Sequence, residues 1–286
     1  MARNNRDRAR RVQGAGSELP PSPTNSSSSN VFEFAVPTDF IKLPSQGLFY
    51  SPDHPLYKQE VVEIKFMTAK EEDILTSKAL LLEGLALDRL LQSVMVDKDI
   101  DIDSLLLGDK NALLIGTRIT GYGSDYETKA MCPHCLEIVD HTFDLEDSLV
   151  VKSCAIRDDL AVATVDNTFI IKNLPRTSAE VEVRLLTGHD EKANNKRIKQ
   201  FEKIKLHYSP LTETMRSFIV SVNGKYDQLY IDSFLENVPA MDARYLRKEY
   251  AAIVPQVELI SDYVCGSCSK SAQMEVPVTP EFFWPK

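Results

Sequence analysis

Glycine is scarce in this chain, with 11 in 286 residues, and none falls in a phosphate-cradling pattern. There is no Gly-Lys-Ser/Thr loop, no dinucleotide fingerprint and no Gly-x-Ser-x-Gly. The five histidines, His54, His134, His141, His189 and His207, form no metalloprotease pattern. No run approaches the roughly 18 apolar residues of a membrane span. No apolar segment opens the chain, so a secretory signal is not expected and a reducing compartment is. Excess positive charge is missing too. A net charge of −9 and a pI of about 5.2 argue against a general nucleic-acid binder, which needs a basic face.

What is present suffices for a core. Hydrophobic residues make up 43% of a chain long enough for one large domain or two smaller ones. Residues 1–30 stand apart. Arg3, Arg6, Arg8, Arg10 and Arg11 form a basic cluster, followed by Pro20, Pro21, Pro23 and the serines 26–29. Such a composition cannot offset the entropy of ordering, so it reads as a disordered arm. The arm is either a solvated tail or a segment that folds onto an acidic partner or nucleic acid.

From Val31 the pattern changes. "VFEFAVP" (31–37) and "VVEIKFM" (61–67) alternate as strands do. Thr68 and Glu71 have capping-box spacing before a helix over 69–82, which Gly84 ends; a second helical pattern covers 85–95. Asp97, Asp99, Asp101 and Asp103 alternate, but the run lacks the glycine and closing glutamate of a calcium loop and reads as an acidic turn. A helix over about 109–120 follows, with Asp109 in its first turn. Further on, 160–175 reads as two strands joined at Asp166-Asn167, and 179–186 as another strand. A polar helix runs from Thr187, with Asp190 and Glu191 early and lysines late. Helices are expected at 233–239 and 241–254, separated by Pro239 and stopped by Pro255.

Cysteine is the last scarcity, with five residues, yet four of them form two matched pairs. Cys132 and Cys135 lie in "MCPHCLEIVDHTF"; Cys265 and Cys268 lie in "YVCGSCSKSAQMEVPV". A Cys-x-x-Cys turn presents both sulfurs to one tetrahedral ion, and Pro133 and Gly266 suit such turns. Period-2 alternation follows each pair, through Val139 in one and through Met274, Val276 and Val278 in the other. Count, spacing and flanks agree on two hairpin tips that make one four-thiolate structural zinc site. An iron–sulfur cluster, a redox role or two independent pairs remain as alternatives. Closing a loop of this length costs about 4 kcal/mol. A structural zinc supplies on the order of 10–16 kcal/mol. The ion can therefore clamp the segment between the pairs. Cys154 stands alone and reads as a buried apolar residue; His134 reads as exposed.

The fold class is thus α+β: mixed helices and short antiparallel sheets around a split four-cysteine zinc ribbon. The expected segments are the arm (1–30), an N-terminal α/β region (31–124) and a first ribbon hairpin (125–150). An inserted α/β region (151–257) and a second hairpin with an aromatic C-terminus (258–286) complete the chain. "LTGHDEK" (186–192) is the most catalytic-looking run, but the preferred reading is structural: a strand end, a turn and a helix start. No catalytic constellation remains, and a non-enzymatic interaction protein is favoured.

Four stretches taken together, "FIKLPSQGLFY", "LTGHDE", "FLENVPAMDARYLRKEY" and "CGSCSKSAQMEVPVTPEFFWP", resemble the baseplate protein family of T-even-like contractile-tailed bacteriophages. The resemblance covers about 33–286. It implies a structural or assembly protein of the tail baseplate, associated with the hub, assembled in the host cytoplasm and located in the virion. Its partners would be other baseplate and tail proteins, with no small-molecule substrate and no membrane. It carries over no catalytic residue and supports the four cysteines as a metal site. The alternative is a zinc-ribbon nucleic-acid adaptor using the arginine arm. The terminal "FFWPK" either folds back as core or docks on a neighbour.

Overall fold

Alternation in "VVEIK" turns Val62 and Ile64 toward the core and leaves Val61 exposed. The computed structural model describes residues 36–154, 161–163, 167–204, 209–279 and 282–284. The arm at 1–30 lies outside them. Of the strand expected at 31–37, only Val36 and Pro37 are described, and neither is in a strand; β1 (Thr38–Lys42) begins just after them and pairs antiparallel with β2 (Val61–Lys65).

Thr68 starts α1 (Ala69–Thr76) as its spacing with Glu71 suggests: its backbone N–H donates to the Glu71 carboxylate at 3.0 Å, and its hydroxyl also donates to it. Lys65 and Ser93 donate to the same carboxylate. Burial alone would raise the Glu71 carboxyl, but these hydrogen bonds outweigh it and draw it from 4.5 down to about 2. A depressed folded-state pKa stabilises above the unfolded value, and that stability is lost as pH falls through the folded one. Glu71 should therefore contribute about 3 kcal/mol above pH 4.5, lost on acidification toward pH 2. Glu71→Gln is expected to lower stability at pH 7 and flatten this part of the acid-denaturation profile, read by urea unfolding at several pH values.

The single helix expected at 69–82 is two. Ser77 is extended (φ −66°, ψ 109°) and separates α1 from α2 (Lys78–Glu83). The Thr76 hydroxyl, bonding back to the Glu72 carbonyl, offers that turn an alternative to the helical ladder. Gly84 ends α2 in the left-handed region at φ +75°, where a side chain would be strained. α3 (Ala86–Val94) buries Leu90, Leu91 and Val94. The acidic turn follows, with Asp101 accepting from the Asp103 N–H.

α4 (Leu107–Tyr122) begins against the "LPSQGLFY" loop. Asp109, fully buried, accepts from the Ser45 N–H at 3.0 Å, the Ser45 hydroxyl at 2.5 Å and the Tyr50 hydroxyl at 2.7 Å. A β-carbon on Gly108 would collide with the Pro255 carbonyl, so only glycine lets the two backbones pass.

The hairpin expected at 125–150 extends to Asp144. β3 (Asp125–Met131) pairs with β4 (Ile138–Asp144); Asp144 then caps α5 (Leu145–Ser148), and β5 (Leu149–Lys152) leaves the hairpin. A four-stranded antiparallel sheet follows in the order β6 (Ala161–Ala163), β7 (Thr168–Ile171), β8 (Val181–Arg184), β9 (Ile219–Val222). Four helices accompany it: α6 (Gly188–Ile204), α7 (Pro210–Phe218), α8 (Gln228–Asn237) and α9 (Ala240–Ile253). α7 and β9 have no counterpart in the sequence reading. α8 starts five residues before the expected 233 because Asp227 caps it, accepting from the Leu229 and Tyr230 N–H groups. Finally β10 (Gln256–Val264) pairs with β5 through its first half and with β11 (Ser271–Glu275) through its second. β10 thereby ties the two cysteine hairpins together.

The fold is α+β with short antiparallel sheets. One continuous core runs from Leu43 to Phe283 and includes Cys132 and Cys265. The aromatic C-terminus folds back. Phe282 and Phe283 are buried, and the Trp284 indole donates to the Leu75 carbonyl at 2.8 Å.

Candidate metal centre

Each cysteine pair sits in a knuckle built the same way. In the first, the Cys132 N–H donates to the Glu137 carbonyl and the Leu136 N–H to the Cys132 carbonyl, both at 2.9 Å. In the second, the Cys265 N–H donates to the Lys270 carbonyl at 3.0 Å and the Ser269 N–H to the Cys265 carbonyl at 2.9 Å. Leu136 (φ 62°) and Ser269 (φ 54°) both take the left-handed conformation that closes the turn. Backbone N–H groups point at the sulfurs, from His134 to Cys132 at 3.4 Å and from Cys268 to Cys265 at 3.5 Å. N–H groups aimed at sulfur favour thiolate.

The β5–β10 pairing brings the knuckles face to face. All four sulfurs lie within 4.8 Å of one another. Cys132 faces Cys268 at 3.7 Å, and Cys135 faces Cys265 at 3.7 Å. A tetrahedron of ~2.3 Å metal–sulfur bonds has sulfur–sulfur edges of about 3.8 Å. The donor set therefore has the dimensions of a metal site and could hold an ion. Among the described residues no other group of histidines, cysteines and carboxylates is arranged this way.

The T4 bacteriophage base plate protein family matches residues 40–284, both knuckles included. The chain belongs to that family. No curated protein and no solved structure matches it. It is therefore a baseplate protein of a T4-like phage, with a structural role.

Two further observations test whether the centre of this baseplate protein fits a metal. The first is charge. The Cys268 N–H and the hydroxyl of Tyr263 help draw the Cys265 thiol down to about 6, against burial. The Glu137 N–H favours a thiolate at Cys135 as well, but burial and the neighbouring sulfurs outweigh it and push Cys135 up to about 12. Four sulfurs this close cannot all ionise unless a cation sits among them. The second is the hydroxyl of Tyr263. The residue is fully enclosed, its ring 4.9 Å from that of His141, and its hydroxyl interacts with the Cys265 sulfur without completing a hydrogen bond of normal geometry. Cys265 lies two residues on along the same strand face, and as a metal-bound thiolate it would be a stronger acceptor for that hydroxyl than a thiol. Both observations fit a bound metal.

The remaining residues singled out from the sequence fall into structural places. His134 is exposed, as expected. Cys154 is half-buried against the core with its thiol pushed up to about 11 by burial. In "LTGHDEK", Asp190 accepts from the Thr187 N–H and forms a two-pronged pair with Arg184 at 2.6 and 2.8 Å. His189 points outward, 3.7 Å from Asp101. This is the strand end, turn and helix start of the structural reading. Sequence reasoning missed Tyr263, although its period-2 spacing from Cys265 marks it as sharing that residue's face.

Proposed function

We propose that the chain is a structural or assembly subunit of the contractile tail baseplate, associated with its hub, and acts through contacts with other baseplate and tail proteins. The observation that carries this reading is the family match across 40–284. We further propose that Cys132, Cys135, Cys265 and Cys268 hold one structural zinc. Four thiolates fill a tetrahedral zinc and leave no position for water or substrate, which suits a structural rather than an enzymatic role. On this reading the split ribbon is a clamp and the inserted 151–257 region is held on it. No helix among the described residues is long and apolar enough to cross a membrane. The virion tail is the expected location, after assembly in the host cytoplasm.

The functional test is genetic. Infection with phage unable to make this chain should yield incomplete baseplates and few tailed particles, with the defect corrected by supplying the chain in trans. Normal particles at normal yield would overturn the reading. The zinc proposal has its own check in Tyr263→Phe, which keeps the ring and removes the hydroxyl. Groups that orient metal ligands typically change metal affinity by about 10- to 100-fold. Zinc release to a chromogenic chelator should accelerate on that scale, and unchanged release would show that the hydroxyl does not serve the metal.

A further inference from the structure

α2 reads "KALLLE" and buries none of its residues. Leu82 is 85% exposed and Leu81 43%. A helix that turns leucines to water in this way lacks a cover. Beside it lies a groove of about 770 Å³, walled by the α2–α3 turn, α4 and α6. Its floor is apolar, made by Leu85, Leu87, Leu114 and Ile198. One wall is basic. Lys196, Lys199 and Lys203 recur at spacings of three and four along α6, so they share a face. Lys110 and Lys192, also lining the groove, are tied to Asp88, Glu191 and Asp103. Lys196, Lys199 and Lys203 have no carboxylate partner among the described residues. In a chain of net charge −9, this concentration of unpaired lysine is a local reversal.

We propose that the groove docks an amphipathic helix of another baseplate protein. Its apolar face would cover the floor and the α2 leucines, and its acidic edge would meet the α6 lysines. This rests on the reading of the chain as a contact protein of the baseplate. Charge selects the occupant. The chain's own arm carries arginine at 3, 6, 8, 10 and 11, the same sign as the lysine wall, and so does not complement it in charge. Nucleic acid would meet the lysines, but it would leave the leucine floor uncovered and bring phosphate against Glu83 on the lip. A helix with apolar anchors at i, i+3, i+4 and i+7 satisfies both chemistries.

The test places a photo-crosslinking diazirine residue at position 82 of the full chain, expressed during infection, and maps the crosslinks in purified baseplates by mass spectrometry. The expected crosslink is to a partner segment with apolar residues at helical spacing and aspartate or glutamate along one edge. Lys196→Glu, Lys199→Glu and Lys203→Glu together, in a chain still folded by circular dichroism, should lower that crosslink by at least about ten-fold, since like charges would then face each other across the groove. A crosslink to nucleic acid, to the chain's own arm or to a segment without that pattern would overturn the proposal. So would an incorporated chain that crosslinks to nothing, or a triple variant that crosslinks as before. If the chain is absent from baseplates and from their assembly intermediates alike, the functional reading fails first and takes this proposal with it.

Discussion

Cys265→Ser is expected to abolish stoichiometric metal binding and to remove the cooperative thermal transition of the chain. The reasoning is a comparison of magnitudes. A structural zinc contributes on the order of 10–16 kcal/mol, whereas typical domains are stable by about 5–15 kcal/mol in total. Without the ion, the hairpin β3–β4 falls back on two-stranded pairing, which is marginal in water, and β11 is left as an edge strand held by β10 alone. Cys132 and Cys265 are also part of the continuous core, so the damage would not stay at the knuckles. Elemental analysis and differential scanning calorimetry read both effects. The matched control is Cys154→Ser, which should keep full metal content because Cys154 stands outside the four-sulfur group. A Cys265→Ser chain that keeps both its metal and its melting transition would contradict the structural assignment.

Arg118→Ala is expected to free the C-terminus and cost several kcal/mol. Arg118 is 2% exposed and has no carboxylate partner among the described residues. Its guanidinium instead donates to three carbonyls, of Phe282 at 2.6 Å, Gly123 at 2.8 Å and Asp125 at 3.2 Å. The rings of Tyr122, Tyr126 and Phe282 lie 5.2 to 6.0 Å from it. The last carbonyls of α4 supply partial negative charge at the same place. Hydrogen bonds to charged groups contribute about 1.5–3 kcal/mol each. Losing three, with non-additivity, gives an expected loss of about 4 kcal/mol in urea unfolding. The chain has one tryptophan, Trp284, so fluorescence reports directly on the docked terminus. In Arg118→Ala its emission should shift to the red in the still-folded protein. Arg118→Lys should recover only part of the loss, because an ammonium on a flexible stem cannot span three carbonyls in fixed directions. Unchanged emission and stability in Arg118→Ala would show that the terminus is held by its aromatic burial alone.

These two cases mark where the sequence was legible. The cluster of four cysteines could be read from spacing because each knuckle is local: a Cys-x-x-Cys turn and the strand after it determine where two sulfurs point. The capping box at Thr68 and Glu71 and the stop at Gly84 were legible for the same reason. Arg118 was not. Its partners at Phe282 and Asp125 are set by tertiary packing, and an arginine inside a helical pattern ordinarily reads as surface. The break at Ser77 was missed because Ala69–Thr76 and Lys78–Glu83, on either side of it, are both rich in helix formers. α7 and β9 were missed because a nine-residue helix running directly into four strand residues gives neither period room to show. Asp109 was assigned to the first turn of its helix correctly, but its partners Ser45 and Tyr50 lie about sixty residues away and no local pattern names them.

The central claim is that this chain is a working part of the tail baseplate. The measurement that tests it most directly is quantitative mass spectrometry of purified finished particles beside purified assembly intermediates. The expected result is a fixed ratio of this chain to the other tail proteins in one or both. Presence in finished particles makes it a structural subunit; enrichment in intermediates with loss from particles makes it an assembly factor. Absence from both would contradict the claim.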